Sequence, residues 1–176
     1  KNLDSLLIFT TKGKVFNIKV YEVPESSKQA RGRLIGNLIK LQDGETVSTI
    51  IKVREFEKER DIFFLTRKGI VKKTNLELFA NINKAGIKAI GLRDDDELIF
   101  AGLTSGNQKD EMFLATREGF AIRFSEHDVR SMGRTASGVK GITLRAKDVI
   151  VAGAIINGTE ELSGKTILTI AEEGNR

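Results

Sequence analysis

The sequence contains no cysteine, no tryptophan, one proline, one tyrosine and one histidine among its 176 residues. Without cysteine there is no disulfide framework, and the chain fits a reducing compartment. With His127 as the sole histidine, a metal site built on several imidazoles and a Ser/His triad drawing on two of them are excluded; the residue reads as a loop histidine. No stretch approaches the roughly 18 apolar residues of a membrane span. The opening KNLDSLLIFT has neither the apolar core nor the cleavage site of a signal peptide. A G-x-x-x-x-G-K-[ST] phosphate loop is absent, so nucleotide hydrolysis has no seat here. Tyr21, in KVYEVPE, has the alternating surroundings of a packed strand residue rather than a nucleophile. The run Asp94-Asp95-Asp96-Glu97 has two readings, a Mg²⁺ attractor or an acidic turn, and QDGE (42–45) and AKD (146–148) at the same place in the chain's repeats favour the turn.

What is present is glycine, 17 residues of it, and a repeat. LLIFTTKGKVFNIK (6–19), IFFLTRKGIVKKT (62–74), MFLATREGFAIRF (112–124) and TILTIAEEGNR (166–176) each join an apolar run to a Gly-bearing turn, and all but the last continue into an alternating run. That pattern predicts β-hairpins. The turn glycines Gly13, Gly69, Gly119 and Gly174 are spaced by 56, 50 and 55 residues. A second phrase recurs too: Gly138-Val139-Lys140-Gly141-Ile142-Thr143-Leu144 matches Gly86-Ile87-Lys88-Ala89-Ile90-Gly91-Leu92, with a looser copy at Ile35–Leu41. Each closing Leu leads through a polar turn into VSTIIKV (47–53), LIFAGLT (98–104) or VIVAGAII (149–156). Each unit thus carries about four strands, the content of a propeller-type blade whose faces are buried only against neighbouring blades. The expected blades are 6–53, 62–104 and 112–156, with the start of another at 166–176. REFEKERD (54–61) is a charged connector between blades, and the ten Phe residues, mostly inside apolar runs, are expected in the core.

The net charge of +5 conceals two populations. From each hairpin turn through the glycine phrase there are seven basic residues, against two acids in 12–40, one in 67–93 and three in 117–147. These stretches hold 21 of the 29 basic residues and only 6 of the 24 acidic ones. In a stacked array, equivalent positions of successive blades lie along one edge, so a basic stripe is expected, the footprint of a protein that binds a polyanion such as duplex nucleic acid. Lys88 and Lys140 occupy the polar phase of their strands, pointing outward while Ile and Val neighbours point inward. The glycines beside them would let a backbone approach a phosphate or let the strand turn sharply. A Trp-Asp or Gly-His propeller devoted to protein interaction would carry those dipeptides in each blade, and neither occurs. A propeller enzyme would need polar groups converging on a central channel, and nothing supplies them.

Residues 12–41, KGKVFNIKVYEVPESSKQARGRLIGNLIKL, together with RKGIVKKT (67–74), TREGFAIRF (116–124) and VRSMGRTASGVKGITL (129–144), resemble blades of the C-terminal domain of the A subunit of bacterial DNA gyrase. The likeness runs through essentially the whole chain in order. It implies an all-β β-pinwheel, a propeller-like spiral of four-stranded blades that exchange strands, with a basic rim that binds and bends duplex DNA. The wrapped duplex would present a second segment for strand passage, in support of ATP-dependent negative supercoiling. Carried over, the rim candidates are Lys12, Lys14, Lys19, Arg31 and Arg33 in the first unit and Arg67, Lys72, Lys73, Lys84 and Lys88 in the second. The third contributes Arg117, Arg123, Arg130, Arg134 and Lys140. The same resemblance implies a chain without catalytic residues or metal of its own, ATP and Mg²⁺ being used elsewhere in the enzyme. It further implies partnership with the gyrase B subunit, with the rest of the A subunit, in an A2B2 assembly, no membrane, and a cytoplasmic, nucleoid-associated location. The family's Q-R-R-G-G-K-G box is not in this sequence, the nearest text being Gln29-Ala30-Arg31-Gly32-Arg33. That leaves the A subunit of topoisomerase IV, which favours decatenation, as the alternative.

Overall fold

A computed structural model describes residues 4–25 and 35–158. Among them, helical geometry is confined to four short 3-10 turns, and the remaining regular elements are strands. In chain order these are β1 (Ser5–Thr10), β2 (Lys14–Lys19), β3 (Val47–Val53), β4 (Asp61–Thr66), β5 (Ile70–Asn75) and β6 (Ile87–Lys88). They continue with β7 (Leu98–Leu103), β8 (Glu111–Thr116), β9 (Ala121–Ser125), β10 (Val139–Lys140) and β11 (Ile150–Ile156).

The three expected hairpins are β1–β2, β4–β5 and β8–β9, all antiparallel. Each closes with the same local chemistry. A threonine ends the first strand, its carbonyl accepts from the turn glycine, and its hydroxyl accepts from the residue that follows. The glycine contacts are Gly13 to Thr10 at 2.9 Å, Gly69 to Thr66 at 3.0 Å and Gly119 to Thr116 at 3.1 Å. The hydroxyls receive the amides of Lys14, Ile70 and Phe120. The glycines have φ between +74° and +85°, a region closed to most side chains.

The strand order is β3-β1-β2-β6 in the first sheet, β10-β5-β4-β7 in the second and β11-β8-β9 in the third. The repeats predict that each unit supplies the four strands of its own blade, and the structure corrects this in the way the family likeness implies. The fourth strand of a sheet comes from the next unit: β6 of the second unit pairs with β2, and β10 of the third pairs with β5. The sheets therefore cut across the sequence repeats, and the glycine phrases at 84–92 and 131–144 are the exchanged pieces. The segment 166–176 lies outside the described residues.

Packing follows the two-residue period of the strands. Leu7 and Phe9 of β1 join Ile62 and Phe64 of β4 in one core between the first two sheets. Phe63 and Leu65, in the other phase of β4, join Met112 and Leu114 of β8 in a second core. The middle sheet is thus buried on both faces. Phe9, Phe64 and Phe79 meet at centroid distances of 5.5 to 6.2 Å, and such pairs contribute about 0.5–1.5 kcal/mol each beyond burial. Phe120 departs from the expected core pattern: it is 40% exposed, with the Arg145 guanidinium 4.0 Å above its ring. Tyr21 is not packed in a strand either. The chain leaves β2 into a 3-10 turn, Val20–Glu22, and the ring is 62% exposed.

Candidate nucleic-acid interface

The exchanged strands are the outermost strands of the first two blades, and they bring residues of different repeats together. In the first sheet Lys14 of β2 stands opposite Lys88 of β6. The Gly13 carbonyl accepts from Ala89 at 2.8 Å and Ile90 at 3.3 Å, and in the next sheet the Gly69 carbonyl accepts from Gly141 at 2.9 Å. Lys140 therefore repeats the position of Lys88 one blade on, and both side chains are exposed. Val139, expected to point inward, is 39% exposed, β10 being the edge strand of its sheet among the described residues. The glycines of these phrases admit protein backbone: a Cβ on Gly138, whose φ is +90°, would lie 2.4 Å from the Val71 carbonyl oxygen. The close approach anticipated for a phosphate is made here by the neighbouring blade.

Two rim candidates are corrected outright. Lys72 is fully buried and Lys73 is 8% exposed, so neither can reach a phosphate. Their strand β5 has a blade on each face, and successive residues point to opposite faces. Lys72 points toward the first blade. Its ammonium donates to the carbonyls of Ala89 at 2.7 Å, Gly133 at 3.1 Å, Arg134 at 2.6 Å and Ala136 at 3.3 Å, and lies 5.3 Å from the Phe64 ring centroid. Burial, then the nearby charges of Arg134 and Lys88, lower its pKa to about 8. Lys73 points toward the third blade. It donates to the Glu126 carbonyl at 3.1 Å and lies 3.8 Å from the carboxylates of Asp61 and Glu126. The repeat itself held the signal: at the position of Lys72 the first unit has Phe16 and the third Ile122, an apolar and inward site.

Lys88 and Arg134, from the second and third repeats, lie near buried Lys72, and Lys14 of the first repeat stands across the seam from Lys88. Lys14 and Arg134 are half-buried and Lys88 exposed. Lys84, Arg130 and Lys140 are exposed on the same exchanged segments. None of these six forms an ion pair with a described residue. The other described candidates are different. Arg67 pairs with Glu97 at 3.3 Å, and the Arg117 guanidinium donates to the Lys147 carbonyl at 2.7 Å. Arg123 pairs with Glu111 at 3.3 Å, Lys19 donates to the Ser5 hydroxyl at 2.9 Å, and Lys12 is exposed beside the turn of Asp95, Asp96 and Glu97. The basic stripe is therefore narrower than composition suggested, and lies on the exchanged strands and their lead-in loops. Arg31 and Arg33 lie outside the described residues.

The acidic turns clasp the hairpins. Asp96 Oδ1 accepts the amides of Lys68 and Glu97, both at 2.9 Å, and Asp148 Oδ1 accepts those of Glu118 at 3.1 Å and Val149 at 2.8 Å. Glu45 holds the Thr10 hydroxyl and the Gln42 amide instead. For Asp148, burial raises the pKa, but the hydrogen bonds from Thr116, Glu118 and Val149, with Arg117 nearby, outweigh it and hold the carboxyl below its ordinary value. His127 is exposed in a 3-10 turn, Glu126–Asp128, whose first residue, Glu126, is buried.

Blades that lend their outer strand to the preceding sheet, with cations on that strand, define a strand-exchanging β-pinwheel. The sequence matches the family model "DNA gyrase C-terminal domain, beta-propeller" in three segments, 4–54, 60–105 and 110–157. It is 46% identical over 173 residues to the DNA gyrase A subunit of Lawsonia intracellularis and 50% identical over 139 residues to that of Halalkalibacterium halodurans. Those alignments cover 98% and 79% of this chain, but 21% and 16% of the relatives' own lengths. Among solved structures, the C-terminal domain of a DNA topoisomerase IV superposes with TM-score 0.81 at 34% identity, covering 89% of this chain and 48% of that one. A DNA gyrase A C-terminal domain superposes with TM-score 0.68 at 26% identity, covering 87% and 48%. The chain belongs to the family of DNA gyrase A C-terminal domains.

Proposed function

We propose that this chain binds duplex DNA through its phosphates and bends it along the exchanged strands, as the wrapping part of a gyrase A subunit. One observation carries the reading: Lys14, Lys88 and Arg134, from three repeats, converge on one seam, with Lys140 repeating the position of Lys88 on the next blade. Contacts of this kind position a duplex without reading its bases. Bending about 20–30 base pairs costs on the order of 1–6 kcal/mol, so several phosphate contacts must act together to offset it. The chain contributes no catalytic group and no cofactor. ATP and Mg²⁺ serve other parts of the enzyme. It joins the gyrase B subunit, with the remainder of its own A subunit, in the cytoplasm, supporting negative supercoiling.

Salt titration of duplex binding tests this. Neutralising about five phosphates gives log K against log salt a slope of about −4.5. A slope near zero, or equal affinity for unrelated neutral polymers, contradicts it.

A second reading is the corresponding domain of topoisomerase IV, favoured by the higher TM-score, 0.81 against 0.68, with the topoisomerase IV domain. Assaying the complete holoenzyme separates them: negative supercoiling of relaxed circles supports gyrase, and decatenation without supercoiling supports topoisomerase IV.

A further inference from the structure

Lys72 is a large, fully buried polar side chain at a repeat position that is otherwise apolar, Phe16 and Ile122 standing there in the flanking units. It has full hydrogen-bond satisfaction without a carboxylate partner. Its acceptors come from two places: Ala89, immediately after β6, and the loop 133–136 that leads into β10. β6 is the outer strand of the first blade and β10 that of the second, so one ammonium ties the end of one exchanged strand to the start of the next. The Gly91 amide, donating to the Ala136 carbonyl at 3.0 Å, makes a parallel backbone tie. Arg134 rides on this loop and Lys88 precedes Ala89. The distance between these two cations across the seam is therefore set by the groups that Lys72 holds.

Lys73 grips the same crossing segment from the opposite face. Besides its bond to the Glu126 carbonyl, its own carbonyl accepts the Met132 amide at 2.8 Å. The crossing segment is thus fastened near 126–132 on one side of β5 and at 133–136 on the other. At the equivalent position one blade earlier, Phe16 packs in a core with Ile8, Ile18 and Ile39 and lies against Gly86, where a Cβ would sit 2.7 Å from the ring, and its side chain has no polar atom with which to make such a tie.

Resting on the DNA-wrapping reading above, we propose that Lys72 is a positioning residue of the rim: by tying Ala89 to loop 133–136 it fixes the angle between successive blades' cationic strands, and with it the bend imposed on the duplex. It touches no phosphate. Its removal should therefore change how far DNA bends more than how tightly DNA binds, which neither a phosphate contact nor a purely structural core residue would do.

The test uses the full-length protein with a fluorophore-labelled linear duplex, reading Kd and end-to-end energy transfer on wild type, Lys72→Met and Lys72→Arg. The expected result for K72M is a Kd within about threefold of wild type with energy transfer reduced by about half, and K72R, which keeps the charge and donors, returning to the wild-type transfer. Unchanged energy transfer in K72M overturns the proposal while leaving the DNA-binding reading intact. A rise in Kd of about tenfold with the bend preserved overturns it as well, since Lys72 would then act as a contact. A wild-type protein that binds no duplex overturns the underlying reading. Should K72M lose its cooperative melt, Lys72→Gln, which keeps N–H donors for the carbonyls, takes its place under the same criteria. A Gln variant that also fails to melt cooperatively overturns the proposal, because the residue then supports the whole fold rather than the rim.

Discussion

Lys14 and Lys88 stand directly opposite each other across β2 and β6, two like charges in register at the edge of the first blade. Facing like charges on paired strands weaken a sheet by a fraction of a kcal/mol, an arrangement that a phosphate lying over them relieves.

Lys88→Glu should therefore act in opposite directions on fold and function. It replaces repulsion by attraction to Lys14 and should stabilise the domain by about 0.2–0.5 kcal/mol, the small value suiting an exposed pair. The same change should weaken duplex binding and lower the magnitude of the salt slope by about 1 to 2. Thermal melts and binding titrations on one preparation check both signs.

Gly138→Ala tests the exchange itself. At φ +90°, with a Cβ placed 2.4 Å from the Val71 carbonyl oxygen, alanine must push β10 off β5. A loss of about 2–4 kcal/mol in denaturant unfolding is expected, combining left-handed strain with the clash. Gly119→Ala makes the control: it meets no neighbouring atom within 4 Å, so only its φ of +85° opposes the change, and the loss should be near 1–2 kcal/mol.

The hairpins were legible in the sequence because each carries two runs of five or six residues alternating about a glycine. The exchange was not legible from periodicity. β6 and β10 pair over only two residues each, and Lys88 meets a partner 74 positions earlier in the chain. Only the family likeness implied it. Lys72 and Lys73 were misread for a related reason. A lysine pair in an alternating run suggests one outward side chain, but β5 lies between two blades and has no outward face. Lys88 and Lys140, by contrast, were correctly placed on exposed positions, since repeat phrases with a lysine at a fixed site mark an edge that recurs from blade to blade.

The pH dependence of stability should carry the mark of Lys72. Its folded pKa is lowered to about 8 from the ordinary 10.5, so the unfolded chain binds the proton more tightly. Unfolding takes up a proton between those values, and this group's contribution to stability rises with pH across that window, being least below pH 8. Comparing melts across this range for wild type and K72R, whose guanidinium does not titrate there, isolates the effect: the wild-type Tm should gain on the variant as pH rises.

Asp148 gives the opposite limb. Its carboxyl is held below its ordinary 3.8 by the hydrogen bonds that clasp the third hairpin. The stability it contributes is present above that value and is lost as pH falls through the folded pKa. Asp148→Asn should lower the Tm at neutral pH and flatten the acid limb of the stability curve.

Hydroxyl-radical footprinting of a duplex bound to the full-length protein tests most directly whether cations of three repeats form one track. Protection should recur on one face of the duplex over more than one helical turn of about 10 base pairs, and should shorten when Lys14, Lys88 and Arg134 are reversed together. Protection confined to a single short patch, or unchanged by that triple reversal, would contradict a single track.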